Sequence, residues 1–173
     1  MIRWGIWGTG VIAHQVASDF RLVSGAVLHA VASRTVERAG QFASRHGIAR
    51  SYGGLEPLLS DAEVDVVYVA TPNYRHAEDC LACIQAGKAV LCEKPFALNL
   101  AEARQIVDAA QQRKVFCMEA MWMRFIPAVM EAKRLIDAHS HLGAKCKVGR
   151  ATCLFICPRQ PLKGSMVHPF APK

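Results

Sequence analysis

Apolar positions in the first 140 residues switch repeatedly between strand-like and helix-like spacing. Alternating or continuous apolar runs at Arg3–Trp7, Ala26–Ser33, Asp65–Ala70, Lys88–Cys92 and Lys114–Met118 predict strands, with a short one around Ala49–Tyr52. Helical spacing fills the gaps at Val11–Phe20, Thr35–His46, Tyr74–Ala86 and Leu100–Arg113, with one helical turn at Leu55–Leu59. Within Thr35–His46, Val36, Ala39, Phe42 and Ala43 share a face and Gly47 closes the helix; Gly87 stops the next, and Asn99 caps the one after it. Pro127 opens a last helix that runs to about Ala138. Strands and helices in such alternation predict an α/β fold with a doubly wound parallel sheet. The unbroken apolar character of Asp65–Ala70 further predicts a strand buried on both faces.

With 173 residues and 52% hydrophobic content, the chain can bury one substantial core and begin a second. We expect a main domain over 1–120, a connecting segment and helix over 121–140, and in 141–173 either the remnant of a C-terminal domain or a disordered basic tail. Residues 145–157 read as one strand of a truncated second α/β domain, after which Pro158, Pro161, Gly164, Pro169 and Pro172 break regular structure. The net charge of +7 is concentrated there, since 141–173 holds six of the 21 Lys/Arg and none of the 14 Asp/Glu. The body is therefore near neutral and carries no helix-turn-helix or interleaved aromatics, which argues against nucleic acid as a partner. No apolar run approaches the ~18 residues of a membrane span, and Met1 leads straight into a strand, so the expected location is cytoplasmic with no membrane partner. Seven cysteines (80, 83, 92, 117, 146, 153 and 157) lack paired metal-ligand spacing and read mainly as small buried hydrophobes, so no metal is expected.

Chemistry concentrates at predicted strand ends. The fifth strand delivers Glu93-Lys94-Pro95 at its carboxyl end, the edge where open parallel sheets bind ligands. Pro95 lacks an N–H and fixes its own φ, so it stops the strand and biases Lys94 toward an extended conformation. Gly8-Thr9-Gly10-Val11-Ile12-Ala13 joins the first strand to the first helix. In a dinucleotide loop Gly8 would permit the tight turn, Gly10 the approach of a pyrophosphate, and Ala13 close helix–sheet contact. A helix-packing turn or a nucleoside-binding loop of methyltransferase type are the alternatives. The second strand ends in Ser33-Arg34, with Arg38 a turn later, where an NAD-selective site carries an acid. A hydroxyl with guanidinium groups suits a 2′-phosphate instead, favouring NADP over NAD, unless Arg34 and Arg38 are simply solvated charges at a helix start. Thr71-Pro72-Asn73 and His76 follow the fourth strand, where they can cover the ribose and nicotinamide side; a surface role for His76 is the competing reading. Trp122 and Arg124 follow the sixth strand and are expected near the mouth of the same cleft, with ordinary packing as their alternative.

Taken together, Gly8-x-Gly10-x-x-Ala13, Thr71-Pro72-Asn73-x-x-His76, Glu93-Lys94-Pro95 and Glu119-Ala-Met-Trp122-Met-Arg124-Phe125 resemble the Gfo/Idh/MocA oxidoreductases, especially their trans-dihydrodiol dehydrogenase branch. The resemblance covers about residues 2–138. It implies an N-terminal Rossmann-type domain, an NADP cofactor with NAD as the alternative, and a C-terminal α/β domain that holds the substrate and often builds a homo-oligomer. It also implies hydride transfer between NADP(H) and a hydroxyl-bearing carbon of a small-molecule sugar, polyol or cyclic diol. Lys94 is then the catalytic residue beside the nicotinamide and the reacting oxygen, with Glu93 holding it. The family's glycine-rich segment with its aspartate and its tyrosine or histidine has no match in this sequence. A non-catalytic NAD(P)-binding module, acting as sensor or partner, is therefore the alternative function.

Overall fold

The computed structural model describes residues 1–138, which divide into a first unit over 1–120 and a second from 121 onward. Six strands, β1 (Ile2–Trp7), β2 (Ala26–Ser33), β3 (Arg50–Gly53), β4 (Val66–Val69), β5 (Ala89–Cys92) and β6 (Cys117–Glu119), form one sheet in the first unit. Every pairing is parallel, and the order is β3-β2-β1-β4-β5-β6. The doubly wound sheet expected from the strand and helix alternation is thus the fold, with the order of a Rossmann sheet. The connecting helices are α1 (Val11–Asp19), α2 (Val36–His46), α3 (Leu55–Ser60), α4 (His76–Gln85) and α5 (Leu100–Arg113).

Side chains alternate across the sheet as the pleat requires. Ile6, Val31 and Tyr68 pack with Ala13 and Ala17 of α1 and Phe42 of α2. Trp7, Val67, Val69, Val90, Cys92 and Cys117 face the other way, toward Cys80 and Ile84 of α4 and Ile106 of α5. All four residues of β4 are buried, as its unbroken apolar run requires. Cys80, Cys83, Cys92 and Cys117 are buried free thiols within this core; Cys146, Cys153 and Cys157 lie outside the described residues.

Several boundaries differ from the sequence expectation for local reasons. The predicted Tyr74–Ala86 helix divides into a 3-10 turn, Asn73–Arg75, and α4, the Arg75 N–H bonding the Pro72 carbonyl at 2.8 Å. Strand β6 starts later than predicted because Lys114 takes a left-handed φ of 55° at the end of α5, while the Val115 N–H still bonds the Ala110 carbonyl. Val36 does not join Ala39, Phe42 and Ala43 in the core: it opens α2 and is 52% exposed. The Asn99 cap holds as expected, accepting from the Glu102 N–H, and Thr35, read as the first residue of its helix, instead caps it by accepting from the Arg38 N–H. The second unit contains a 3-10 turn, Trp122–Phe125, and α6 (Pro127–Ala138). The strand expected over 145–157 and the basic tail lie outside the described residues. Among the described residues no helix is long and apolar enough to cross a membrane.

Candidate active site

Strand order reverses between β1 and β4, so the loops leaving their carboxyl ends diverge and open a crevice. The two glycines of the first loop serve different ends. Gly8 has a φ of 108°, and a Cβ there would lie 2.6 Å from the Ala70 carbonyl oxygen, so the close passage of the β1 and β4 exits itself demands glycine. Gly10 is extended, with φ −81°, and a Cβ on it would meet no atom within 4 Å. Among the described residues nothing requires glycine there. The first N–H groups of α1 lack intrahelical acceptors, and Gly10 offers no side chain to cap them. Val11 is 89% exposed on the same rim and Ile12 is also exposed, whereas Ala13 is fully buried against the sheet. An open, uncapped helix N-terminus with room for a ligand in front of it fits a pyrophosphate.

At the end of β2, Ser33 is buried and its hydroxyl pairs with that of Thr9 at 3.2 Å, tying the glycine loop to the second strand. Arg34 and Arg38 are exposed; among the described residues no carboxylate pairs with either. Thr9, Arg38 and Arg45 line a cavity of about 200 Å³ together with His14, Gln41 and Phe42. The residues that would receive a 2′-phosphate are therefore two uncompensated guanidinium groups beside a hydroxyl pair, which fits that group.

The β4 exit is held from beneath. Thr71 donates its hydroxyl hydrogen to Asp79 Oδ2 at 2.7 Å, and Asp79, fully buried, also accepts from Arg75 at 3.1 Å. The two ring nitrogens of His76 stand 2.8 Å from the Thr71 carbonyl oxygen and 2.7 Å from that of Pro95. This corrects the surface reading of His76. At 1% exposure it is no surface residue, and both ring nitrogens lie on backbone oxygens. Its ring instead ties the β4 exit to the β5 exit. Pro72 and Asn73 form the exposed crest of the loop, so Asn73 contributes the free amide while the Thr71 hydroxyl hydrogen is already committed.

Beyond β5, the Glu93 N–H bonds the Val69 carbonyl at 2.9 Å and the Glu93 side chain folds back under the chain. Its Oε1 accepts from the Tyr68 hydroxyl at 2.5 Å and its Oε2 from the Lys94 N–H at 3.1 Å. Glu93 thus holds the backbone of Lys94, not its ammonium. Burial, reinforced by Glu93, pushes the Tyr68 phenol far above its ordinary range, so it remains a hydrogen-bond donor at any physiological pH. Lys94 is exposed and precedes a cis peptide bond to Pro95; its ammonium has no partner among the described residues. On the far side of the loop, the Phe96 N–H donates to Glu119 Oε1 at 2.8 Å.

Sequence reasoning missed Tyr68, Asp79 and the anchoring role of Glu119. The signal was present for two of them. A tyrosine within Val66–Val69 must find a partner for its hydroxyl, and Asp79 lies one helical turn after His76 on a buried face. Trp122, 65% exposed, and Arg124, half-buried, belong to the turn of the second unit.

Residues 2–121 match the Gfo/Idh/MocA model, described as an oxidoreductase family with an NAD-binding Rossmann fold. Trans-1,2-dihydrobenzene-1,2-diol dehydrogenase of Sus scrofa is 44% identical over 144 residues, 82% of this chain and 43% of that protein. The chain thus spans less than half the length of this curated relative. Among solved structures, an NAD binding oxidoreductase from Klebsiella pneumoniae superposes with a TM-score of 0.75 at 31% identity, covering 79% of this chain and 39% of that one. A 3-ketoreductase from Actinomadura kijaniata in complex with NADP and TDP-benzene gives 0.74 at 30% identity, covering 79% and 42%.

Proposed function

Because the chain belongs to the Gfo/Idh/MocA family of oxidoreductases, we propose that its first unit binds NADP(H) and that Lys94 serves hydride transfer to or from a hydroxyl-bearing carbon. The substrate is a small sugar, polyol or cyclic diol, a class supported by the diol dehydrogenase and ketoreductase relatives. The observation that carries this reading is the placement of an uncapped helix N-terminus and a lysine ammonium without a partner among the described residues at the carboxyl edge of one parallel sheet.

Gly8, Thr9, Gly10, Val11 and Ile12 hold the pyrophosphate side, Ser33, Arg34 and Arg38 the 2′-phosphate, and Thr71, Pro72 and Asn73 the ribose and nicotinamide side. When bound, the cofactor supplies or accepts hydride at the nicotinamide C4. Lys94 donates hydrogen bonds from its ammonium to the substrate oxygen and stabilises the negative charge that develops there. Its backbone is kept in place by the Glu93 carboxylate, itself fixed by Tyr68. At the neighbouring β4 exit, Asp79 and His76 hold the Thr71 loop to a single geometry.

The test is a fluorescence titration with NADPH, followed by NADP reduction with a panel of cyclic diols and polyols. Lys94→Met is expected to bind NADPH within a few-fold of the wild type and to lose turnover. Turnover unaffected by that change, or binding of S-adenosylmethionine in place of a dinucleotide, contradicts the reading. A second reading, an NAD(P)-binding module without turnover, is favoured by one observation: no proton donor or acceptor lies within hydrogen-bonding distance of the Lys94 ammonium among the described residues. It predicts NADPH binding with no oxidation of any member of the panel.

A further inference from the structure

The cavity beside Arg38 contains a feature that dinucleotide binding leaves unused. His14, in the first turns of α1, and His46, at the end of α2, meet with Nδ1 and Nε2 only 2.7 Å apart. Both rings lie against Phe42, with centroids 4.4 and 4.6 Å from it, and His14 lines the cavity with Thr9, Arg38, Gln41 and Arg45. We propose that the His14–His46 pair makes this cavity a proton-linked phosphate site, so that NADP(H) gains affinity relative to NAD(H) as pH falls through the imidazole range. The inference rests on the NADP reading of the same site.

The geometry limits the pair to one added proton. One N–H shared between the facing nitrogens satisfies both neutral rings, and a single extra proton leaves that bond intact. A second would set two N–H donors against each other. Among the described residues the charged groups that line the cavity are all positive. Arg38 and Arg45 face the cavity from α2, whereas Glu37, the only carboxylate on that helix, is not among the lining residues. On α1 the sole acid is Asp19, which accepts from Gln15 and does not line the cavity. The sheet beneath contributes Ile6, Val31 and Tyr68 to the same cluster, and the Tyr68 hydroxyl is bound to Glu93. Without an anion, burial, the His14 ring and Arg45 together hold the His46 imidazole below its ordinary range. A phosphate seated against Arg38 reverses the local sign, because its negative charge favours the protonated pair. Binding of NADP(H) therefore takes up a proton, whereas NAD(H), which has no phosphate at that position, does not.

Calorimetry of the 173-residue chain with NADPH and NADH, in buffers of differing ionisation enthalpy, counts the protons. The wild type is expected to take up a measurable fraction of a proton with NADPH and none with NADH. Its preference for NADPH should rise several-fold between about pH 8 and pH 6, within the limit of ~tenfold per pH unit for one linked proton. A 2′-phosphate itself titrates near pH 6, but the free cofactor does so equally in every titration, so the difference between wild type and variant reports the proton linkage that the rings add. His14→Ser should abolish the extra uptake. His46→Gln, which keeps a hydrogen-bonding partner for His14, should reduce it, and this second variant keeps the idea exposed if the first fails to fold. NADPH binding with the same proton count in wild type and both variants overturns the inference, as does an equal pH response for NADH. Failure of both dinucleotides to bind is a different result and overturns the NADP reading itself.

Discussion

Gly8 and Gly10 lie two residues apart in one loop, yet the structure predicts opposite consequences for replacing them. At Gly8 an added Cβ meets a backbone oxygen at 2.6 Å while φ stays at 108°. The left-handed backbone costs an L-residue ~1–2 kcal/mol, and forcing a methyl group into packed backbone adds ~1–3 kcal/mol. Gly8→Ala should therefore lose about 2–5 kcal/mol, a large share of the ~5–15 kcal/mol that stabilises a domain. At Gly10 the φ of −81° is ordinary and a Cβ meets nothing within 4 Å. Alanine there restricts the unfolded chain, worth ~0.4–1 kcal/mol, and is a poorer N-cap by a similar amount, so stability should be nearly unchanged. Affinity should move instead. A methyl group in the space left for a pyrophosphate weakens charge-assisted bonds worth ~1.5–3 kcal/mol each, or roughly 10- to 100-fold in the NADPH dissociation constant for one bond. Urea unfolding measures the first effect and NADPH fluorescence the second. Gly10→Ala with wild-type affinity would refute the assignment of that space to a ligand; Gly8→Ala with wild-type stability would refute the packing analysis.

Tyr68→Phe removes a buried donor from the Glu93 carboxylate and should cost ~1.5–3 kcal/mol in chemical denaturation, with turnover falling more than NADPH affinity because Lys94 loses its anchor; equal loss of both would argue for a purely structural tyrosine. Burial opposes the ionisation of Asp61, but the Glu63 N–H, Tyr52, Arg50 and His29 together hold its carboxyl below the usual range. The unfolded chain thus binds more protons, and stability from this group is complete above about pH 4 and lost as pH falls through the folded value. Asp61→Asn should flatten that acid limb of a stability-versus-pH curve, and an unchanged limb would contradict the sign. The Cys80 thiol is pushed up by its bond to Cys92 and by burial, and those of Cys83 and Cys117 chiefly by burial. Peptide mapping after iodoacetamide treatment should find all three unmodified in the folded protein and labelled in denaturant; rapid labelling under native conditions would mean that the core opens.

Periodicity was sufficient for most of the fold because the strands other than the polar β3 are largely apolar runs bounded by turn signals, so their identity is a local property. The cap at Asn99, the start of α6 at Pro127 and the burial of Val66–Val69 were legible for the same reason. Boundaries failed where backbone hydrogen bonds overrode spacing, as at Lys114 and Val115. Val36 failed because helical spacing says which residues share a face but not whether the first turn has anything to pack against.

The sequence by itself determined the kind of chemistry and its place. Glycines at 8 and 10, arginines at 34 and 38 and a lysine at 94 all follow predicted strands, and a parallel sheet gathers such positions at one edge. Tertiary structure alone decided what each residue is free to do. Only folding brings Tyr68 to Glu93 across 25 positions, His76 to Pro95 across 19, and His14 to His46 across 32. Hydrogen bonds reach about 3 Å, and no spacing along the chain encodes which partners arrive within that distance. That is why His76 lies buried between two backbone carbonyls, and why the Ala70 carbonyl crowds Gly8 while Gly10 has open space before it.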